Sequence, residues 1–98
     1  MESVYYRSQF AGRACEAIAI STLSSKGYEV YLGFGNTSCD MIAKDKDGKL
    51  YRIEVKRKPK GKYFPPFKKD KCDILIVADD SNSSAKFYFL PIERGTML

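Results

Sequence analysis

The stretch "LYRIEVKRK", Leu50 to Lys58, contains a predicted β-strand from Leu50 to Lys56, in which the residues from Arg52 to Lys56 alternate between charged and apolar as in a half-buried strand. Ile53 and Val55 can then enter the core, while Glu54 and Lys56 emerge together on the other face of the sheet. The strand therefore presents a carboxylate and an ammonium as neighbours. The same Glu-x-Lys pattern also occurs in ordinary exposed ion pairs, so its meaning depends on what surrounds it.

A second strand is predicted just before this one, at Asp40 to Lys44. The turn "KDKDGK", with its glycine at Gly48, predicts that the two strands form an antiparallel hairpin. Asp40 begins the first strand, so the hairpin brings its carboxylate towards Glu54 and Lys56. Two carboxylates of this kind are the hard oxygen ligands that Mg²⁺ or Mn²⁺ prefers. A metal there, beside an ammonium that orients a water, suits phosphodiester hydrolysis.

A helix is predicted from Ser8 to about Lys26, with Gly27 as its C-terminal cap. Glu16 has Gly12, Ala19 and Ile20 as helical neighbours, which predicts a carboxylate at the edge of the apolar face, where it would need a partner. The apolar stripe expected to pack on the sheet consists of Phe10, Ala14, Ala17, Ile18 and Ser21.

The remaining segments complete a single domain spanning residues 1–98. Strands are predicted at Glu29 to Leu32, at Asp73 to Ala78 and at Lys86 to Ile92. The middle one, "DILIVA", is a nearly continuous apolar run, which is typical of a strand buried on both faces. Arg57 to Lys71 is rich in Lys, Pro and aromatic residues and predicts a loop or a very short helix. The fold class is therefore α/β, a mixed sheet of about five strands flanked by an N-terminal helix, with a short basic crossover.

Composition excludes several function classes. The chain has 98 residues and no histidine, which rules out a Ser-His-Asp triad, a Cys-His pair and histidine-ligated zinc. No apolar run approaches the length of a membrane span, and no signal peptide is visible. Cys15, Cys39 and Cys72 lack metal-finger spacing and are expected to be reduced thiols in small core positions. We therefore expect a cytoplasmic protein that does not associate with membranes.

Together these residues resemble the PD-(D/E)XK nuclease superfamily, especially the small archaeal Holliday junction resolvases and the similar intron-associated endonucleases. The resemblance covers about the first two-thirds of the chain, and two features depart from the family pattern. Cys39 replaces a frequent proline, and the usual second helix is compressed into residues 57–71. The matching motifs are "GR..E" at Gly12, Arg13 and Glu16, "GY.V" from Gly27 to Val30, a loop with Gly35 and Asn36, "D.I" from Asp40 to Ile42, Gly48, and "IEVK" from Ile53 to Lys56.

The resemblance implies a restriction-endonuclease-like core and a role for each matching residue. Asp40 and Glu54 would be metal ligands, with the Val55 carbonyl as a third. Lys56 would orient the attacking water, and Glu16 would be a direct or outer-shell ligand. Ser38, in the loop before Asp40, would contact a phosphate. Catalysis would thus rest on Glu16, Asp40, Glu54 and Lys56, with Mg²⁺ or Mn²⁺ as cofactor.

The charge distribution indicates a polyanionic partner. Lys and Arg number 17 against 12 Asp and Glu, a net charge of +5, and the basic residues concentrate between Arg52 and Lys71. DNA or RNA is the natural partner of such a stripe, although a solvated lysine-rich loop is an alternative. Phe64 and Phe67 are expected to fill the core or an interface. The candidate nucleic-acid-binding residues are Arg13, Ser38, Arg57, Lys58, Lys60, Lys62, Lys68 and Lys69.

The leading hypothesis is a metal-dependent DNA endonuclease that acts on branched DNA, as a Holliday junction resolvase does. Because two strands must be cut with one small site per chain, a homodimer is expected. Three alternatives stay open at this point: a duplex endonuclease of the intron or restriction type, a nucleic-acid-binding module of nuclease ancestry that no longer cuts, and an interaction protein of a virus or plasmid whose basic loop binds an acidic partner.

Overall fold

The computed structural model describes residues 4–32, 39–67, 69–92 and 96–98, and the side chains from Gly12 onward except that of Lys69. One helix, α1 (Val4–Ser25), precedes five strands. The strands are β1 (Glu29–Leu32), β2 (Met41–Lys44), β3 (Leu50–Arg57), β4 (Ile74–Asp79) and β5 (Ser84–Phe89). Among the described residues between β3 and β4, the one regular element is a one-turn 3-10 helix, Lys69–Lys71.

The strands form one mixed sheet in the order β1-β2-β3-β4-β5. Neighbouring strands are antiparallel except for β3 and β4, which are parallel. The prediction of a mixed five-stranded sheet with an N-terminal helix and a short crossover is confirmed. The hairpin between β2 and β3 is also confirmed. Its turn has Gly48 at φ 87°, and Asp45 Oδ1 accepts the main-chain N–H groups of Asp47 and Lys49, each at 2.9 Å.

Helix α1 lies on one face of the sheet, but with a different side inward from the one predicted. Cys15, Ala19 and Leu23 are buried, at 3%, 0% and 0% exposure, whereas Ala17 and Ser21 of the predicted stripe are exposed. The buried residues recur every four positions, and two of them are small, which lets the helix approach the sheet closely. Their partners in the core are Met41, Ala43, Ile53, Ile74 and Ile76.

Element boundaries differ most from the prediction in α1 and β5, whereas those of β2, β3 and β4 differ by one residue. α1 begins at Val4 instead of Ser8, since no proline or glycine interrupts residues 4–7. As predicted, Gly27 forms the C-terminal cap of α1, and it has φ 91°. The Tyr28 N–H donates to the Leu23 carbonyl and the Gly27 N–H to that of Ser24, both at 3.1 Å, which is the Schellman arrangement.

The last strand, β5, ends at Phe89 and not at Ile92. Pro91 has no N–H to donate to a sheet ladder, which accounts for the earlier end. β5 also begins two residues before the predicted start at Lys86, so the turn between β4 and β5 is shorter than predicted.

The crossover covers the face of the sheet opposite α1. Leu75 and Val77 point to that face, yet they are only 0% and 5% exposed. Phe64 packs edge-on against Tyr88 with ring centroids 4.7 Å apart, and Tyr88 pairs with Leu75 in the sheet. The prediction that Phe64 is a packing residue is therefore confirmed, and β4 is buried on both faces.

Two observations concern cysteines and membranes. Cys15, Cys39 and Cys72 form no disulfide among the described residues. Cys15 and Cys72 are buried, as predicted for core residues, whereas Cys39 is only half-buried. In the part of the chain that the structure describes, no helix is long and apolar enough to cross a membrane.

The observed helix face can be tested by comparing two substitutions in α1. We expect Leu23→Ala to lower the free energy of unfolding by about 2 to 5 kcal/mol, because it leaves a cavity against the sheet. Ala17→Ser, on the exposed side, should cost about 0.5 kcal/mol or less. Denaturant unfolding followed by circular dichroism measures both, and comparable losses would contradict the orientation of α1.

Candidate active site

Asp40 lies beside the middle of β3 because of the hairpin register. Met41 pairs with Ile53, and Asp40 directly precedes it. The Asp40 N–H donates to the Ile53 carbonyl at 3.0 Å, and Oδ2 of its side chain accepts the Val55 N–H at 2.7 Å. The main-chain groups of Ile53 and Val55, on either side of Glu54 in β3, therefore hold Asp40 next to Glu54.

Glu54 and Lys56 project from β3 on the face opposite α1, as the alternation predicts. Lys56 Nζ lies 3.3 Å from Glu54 Oε1. The Glu54 side chain is 14% exposed, whereas that of Lys56 is 38% exposed. An ion pair that is partly shielded from water is stronger than one at the open surface. The structure thus brings together three of the four predicted catalytic residues, Asp40, Glu54 and Lys56.

Cys72 is a further neighbour of Glu54, and the sequence analysis did not associate the two. Its Sγ lies 3.6 Å from Glu54 Oε2, at the end of the crossover. Burial and the charge of Glu54 raise the pKa of the Cys72 thiol to about 11. The thiol is therefore neutral at physiological pH, and its S–H group donates a hydrogen bond to the carboxylate. Only the parallel pairing of β3 with β4 brings the two residues together, so no local pattern could have indicated the contact.

Glu16 does not lie where the sequence indicated. It was expected at the edge of the apolar face, but it is exposed on α1, because Cys15 and Ala19 form the side that packs on the sheet. Among the described side chains, no hydrogen bond or ion pair joins Glu16 to Asp40, Glu54 or Lys56. Its assignment as a direct or outer-shell metal ligand stays a prediction.

Asp40 and Glu54 form a donor set that fits Mg²⁺ or Mn²⁺. Mg²⁺ is usually held by one or two carboxylates and keeps several of its waters, and here two carboxylates come from adjacent strands. Within the described ranges, no group of three or more Asp, Glu, Cys or His side chains is placed to hold a metal ion. A metal at this site would therefore depend on water and substrate oxygens, and the Val55 carbonyl stays a predicted ligand.

Arg52 fixes the end of the crossover against the start of β3. Its Nε and Nη2 donate to the two oxygens of Asp73 at 3.1 and 3.0 Å, and its main-chain N–H donates to Oδ2 at 2.8 Å. These hydrogen bonds hold the pKa of Asp73 below its ordinary value. Nη1 also donates to the Asp70 carbonyl at 3.2 Å. These hydrogen bonds, here called the clamp between Arg52 and Asp73, fix the main chain next to Cys72. They therefore also fix the position of the thiol that contacts Glu54.

Several of the predicted nucleic-acid contacts surround one groove of about 530 Å³, here called the basic groove. Lys58, Lys60 and Lys62 line it, and so does Lys86, which the sequence analysis missed. Alternation in β5 could have indicated Lys86, since Ala85 and Phe87 face the core. The other lining residues are Gly61, Val77, Asp79, Ser84, Ala85, Tyr88 and Leu98.

The other predicted contacts are more dispersed. Arg57 is engaged by Asp80, with Nε 3.0 Å from Oδ1, and strand alternation puts it on the face opposite Lys56. Arg13 is exposed on α1. Lys69 belongs to the 3-10 helix, but its side chain is not among those described. Ser38 and Lys68 lie outside the described residues.

A search of solved structures finds the same fold in a bacterial homing endonuclease, I-Ssp6803I. The TM-score is 0.66 at 16% sequence identity, and the alignment covers 84% of this chain and 68% of that chain. No protein-family model matches the sequence, and no curated protein matches it. The likeness shows that the two chains share a fold.

The environment of Cys72 predicts how fast its thiol reacts with an alkylating agent, compared with the thiol of Cys39. With a pKa of about 11, only about one Cys72 in a thousand is thiolate at pH 8, and burial shields it further. We expect iodoacetamide to modify half-buried Cys39 well before Cys72, with the rate at Cys72 rising as the pH increases towards 11. Mass spectrometry of the native protein over time measures this order. Equal rates at pH 8 would contradict the described packing around Glu54.

Proposed function

We propose that this protein is a metal-dependent DNA endonuclease that hydrolyses phosphodiester bonds. The observation that carries the proposal is the position of Asp40. Its carboxylate is fixed to the main chain of β3 at Val55, beside Glu54, whose own partner is the ammonium of Lys56. An ordinary surface ion pair between Glu54 and Lys56 would not require a second carboxylate held against the same strand. The fold shared with a homing endonuclease supports the proposal.

The residues present suit the chemistry of phosphodiester hydrolysis. Asp40 and Glu54 would hold Mg²⁺ or Mn²⁺, which when bound supplies polarisation of a phosphate oxygen and a more acidic water. Lys56 would orient the attacking water and donate to the phosphate oxygen on which negative charge develops. Water adds to phosphorus, the bond to the leaving oxygen breaks, and that oxygen takes up a proton. No covalent intermediate with the protein is needed.

Branched DNA is the substrate that we propose, because the motifs around Asp40 and Glu54 resemble those of the Holliday junction resolvases. A homodimer would place two such sites on two of the four strands of one junction. A second candidate is a duplex endonuclease, which the named structural neighbour favours, since it is a homing endonuclease. Both candidates use the same residues and the same chemistry, and they differ in the DNA that is cut.

Cleavage of labelled DNA tests the proposed site. We expect wild-type protein with Mg²⁺ or Mn²⁺ to cut a four-way junction, and Lys56→Ala to reduce the rate roughly 100-fold or more, because it removes the group that orients water and stabilises charge. Lys46→Ala is the matched control, since Lys46 is an exposed lysine in the turn between β2 and β3.

The DNA panel also separates the candidates. Equal rates on the junction and on linear duplex would favour the duplex endonuclease. Binding without cleavage under either metal would contradict the endonuclease proposal and favour a nucleic-acid-binding module. Unchanged cleavage by both Lys56→Ala and Asp40→Ala would show that the activity comes from elsewhere.

Metal binding can be tested without measuring DNA cleavage. A ligand that binds only the folded state stabilises it, by about 2.7 kcal/mol at 100 times its dissociation constant. We expect Mn²⁺ or Mg²⁺ to raise the unfolding temperature of the wild type but not of Asp40→Ala or Glu54→Gln. Asp47→Ala is the control, since Asp47 is an exposed carboxylate in the β2–β3 turn. If both site variants respond to the metal as the wild type does, the assignment of these ligands is wrong.

A further inference from the structure

The basic groove lies immediately beside the candidate active site. Lys56 pairs with Val77 across the parallel strands, and Val77 pairs with Lys86 across β4 and β5. Partners in a sheet project to the same face, so Lys56, Val77 and Lys86 form one row. With neighbouring strands about 4.8 Å apart, the Cα atoms of Lys56 and Lys86 are about 10 Å apart. A strand whose phosphate lies at Lys56 therefore meets the groove within about one or two nucleotides.

The basic groove is positively charged, and several of its lysine side chains are available to bind a ligand. Among the described residues, no carboxylate forms an ion pair with Lys60, Lys62 or Lys86. Asp79 is the acidic residue in the lining, and it is already engaged by the turn that follows β4. Its Oδ1 accepts the Ser81 hydroxyl at 2.6 Å, and its Oδ2 accepts the Asn82 amide at 2.8 Å. Lys58 lies 3.7 Å from the same carboxylate, so three lysines remain for an anion.

The floor of the groove is apolar and includes an aromatic ring. Val77, Tyr88 and Leu98 line it together with the lysines. The ring of Tyr88 is held by its edge contact with Phe64, and the main-chain N–H of Leu98 donates to the Lys62 carbonyl at 3.0 Å. A concave surface with lysines, an apolar floor and an aromatic ring matches an unpaired strand, whose phosphates meet the charges while its bases cover the floor. A duplex turns its bases inward, so it could use the lysines but not the floor.

We propose that the basic groove binds an unpaired strand of nucleic acid next to the scissile phosphate. This inference rests on the proposed function, because it assigns the groove to the same substrate. The preferred DNA would then be one in which a single strand leaves the duplex within about one or two nucleotides of the cut, as at a branch or a flap. Lys86 binds a phosphate of that strand, and Lys60 and Lys62 bind its neighbours.

Binding of a fluorescent thymidine oligonucleotide in EDTA tests the groove independently of cleavage. We expect Lys86→Ala to weaken this binding several-fold. It should also make the slope of log Kobs against log salt shallower by about 0.7, the value for one phosphate contact on a single strand. Lys86→Arg should restore both quantities, while Lys46→Ala should change neither. Duplex of equal length should be affected much less than the single strand.

The proposal for the groove and the proposal of endonuclease activity are contradicted by different results. If Lys86→Ala leaves single-strand binding unchanged, or weakens duplex and single strand equally, the groove is not a single-strand site even when the wild type cuts DNA. If the oligonucleotide binds as described but the wild type cuts no DNA with either metal, the groove stands and the proposed function fails. Lys86 is exposed, so the variants should fold, and their thermal unfolding temperatures verify this.

Discussion

The whole arrangement depends on the burial of β4 on both of its faces. A chain of 98 residues in which α1 is the long helix of the described part can cover only one face of its sheet with a helix. The segment between β3 and β4 must therefore cover the other, and Phe64 packing on Tyr88 does so. That requirement brings a lysine-rich stretch across the sheet on the side where Glu54 and Lys56 project. The packing of the core and the position of the basic residues are consequences of one constraint.

The same constraint explains why the candidate site is partly shielded. The crossover covers most of β4 but leaves the outer face of β3 only partly covered, so Glu54 is less exposed than Lys56. On the β4 side, Cys72 contacts Glu54, and the clamp between Arg52 and Asp73 fixes the main chain that carries Cys72. On the β2 side, the main chain of β3 holds Asp40. Asp40 is thus held by the main chain, and Glu54 by Cys72 and Lys56, before any ligand arrives. Electrostatic stabilisation of a reaction requires such preorganised groups.

The sequence was sufficient for whatever depends on local pattern. The alternation in β3 and the turn at Gly48 correctly predicted that Asp40, Glu54 and Lys56 would meet, because a hairpin register follows from nearby residues. The face of α1 was predicted less well. Ala14, Ala17 and Ile18 are as apolar as Cys15 and Ala19, so hydrophobicity alone could not choose the side that packs, and Glu16 was misplaced with it. The contact of Cys72 with Glu54 depends on the pairing of β3 with β4, which no local pattern encodes, whereas alternation in β5 could have indicated Lys86.

The two pairings of β3 differ in how far apart their partners are along the chain. β2 is joined to β3 by a tight turn that Asp45 already stabilises, whereas β4 is reached only after the whole crossover between β3 and β4 has been ordered. Closing a longer loop costs more entropy, and distant contacts form late in folding. We therefore expect Asp40 to meet Glu54 in the folding transition state, and the basic groove to assemble afterwards. Substitutions in the crossover would then act mainly by speeding unfolding, and they would leave the folding rate almost unchanged.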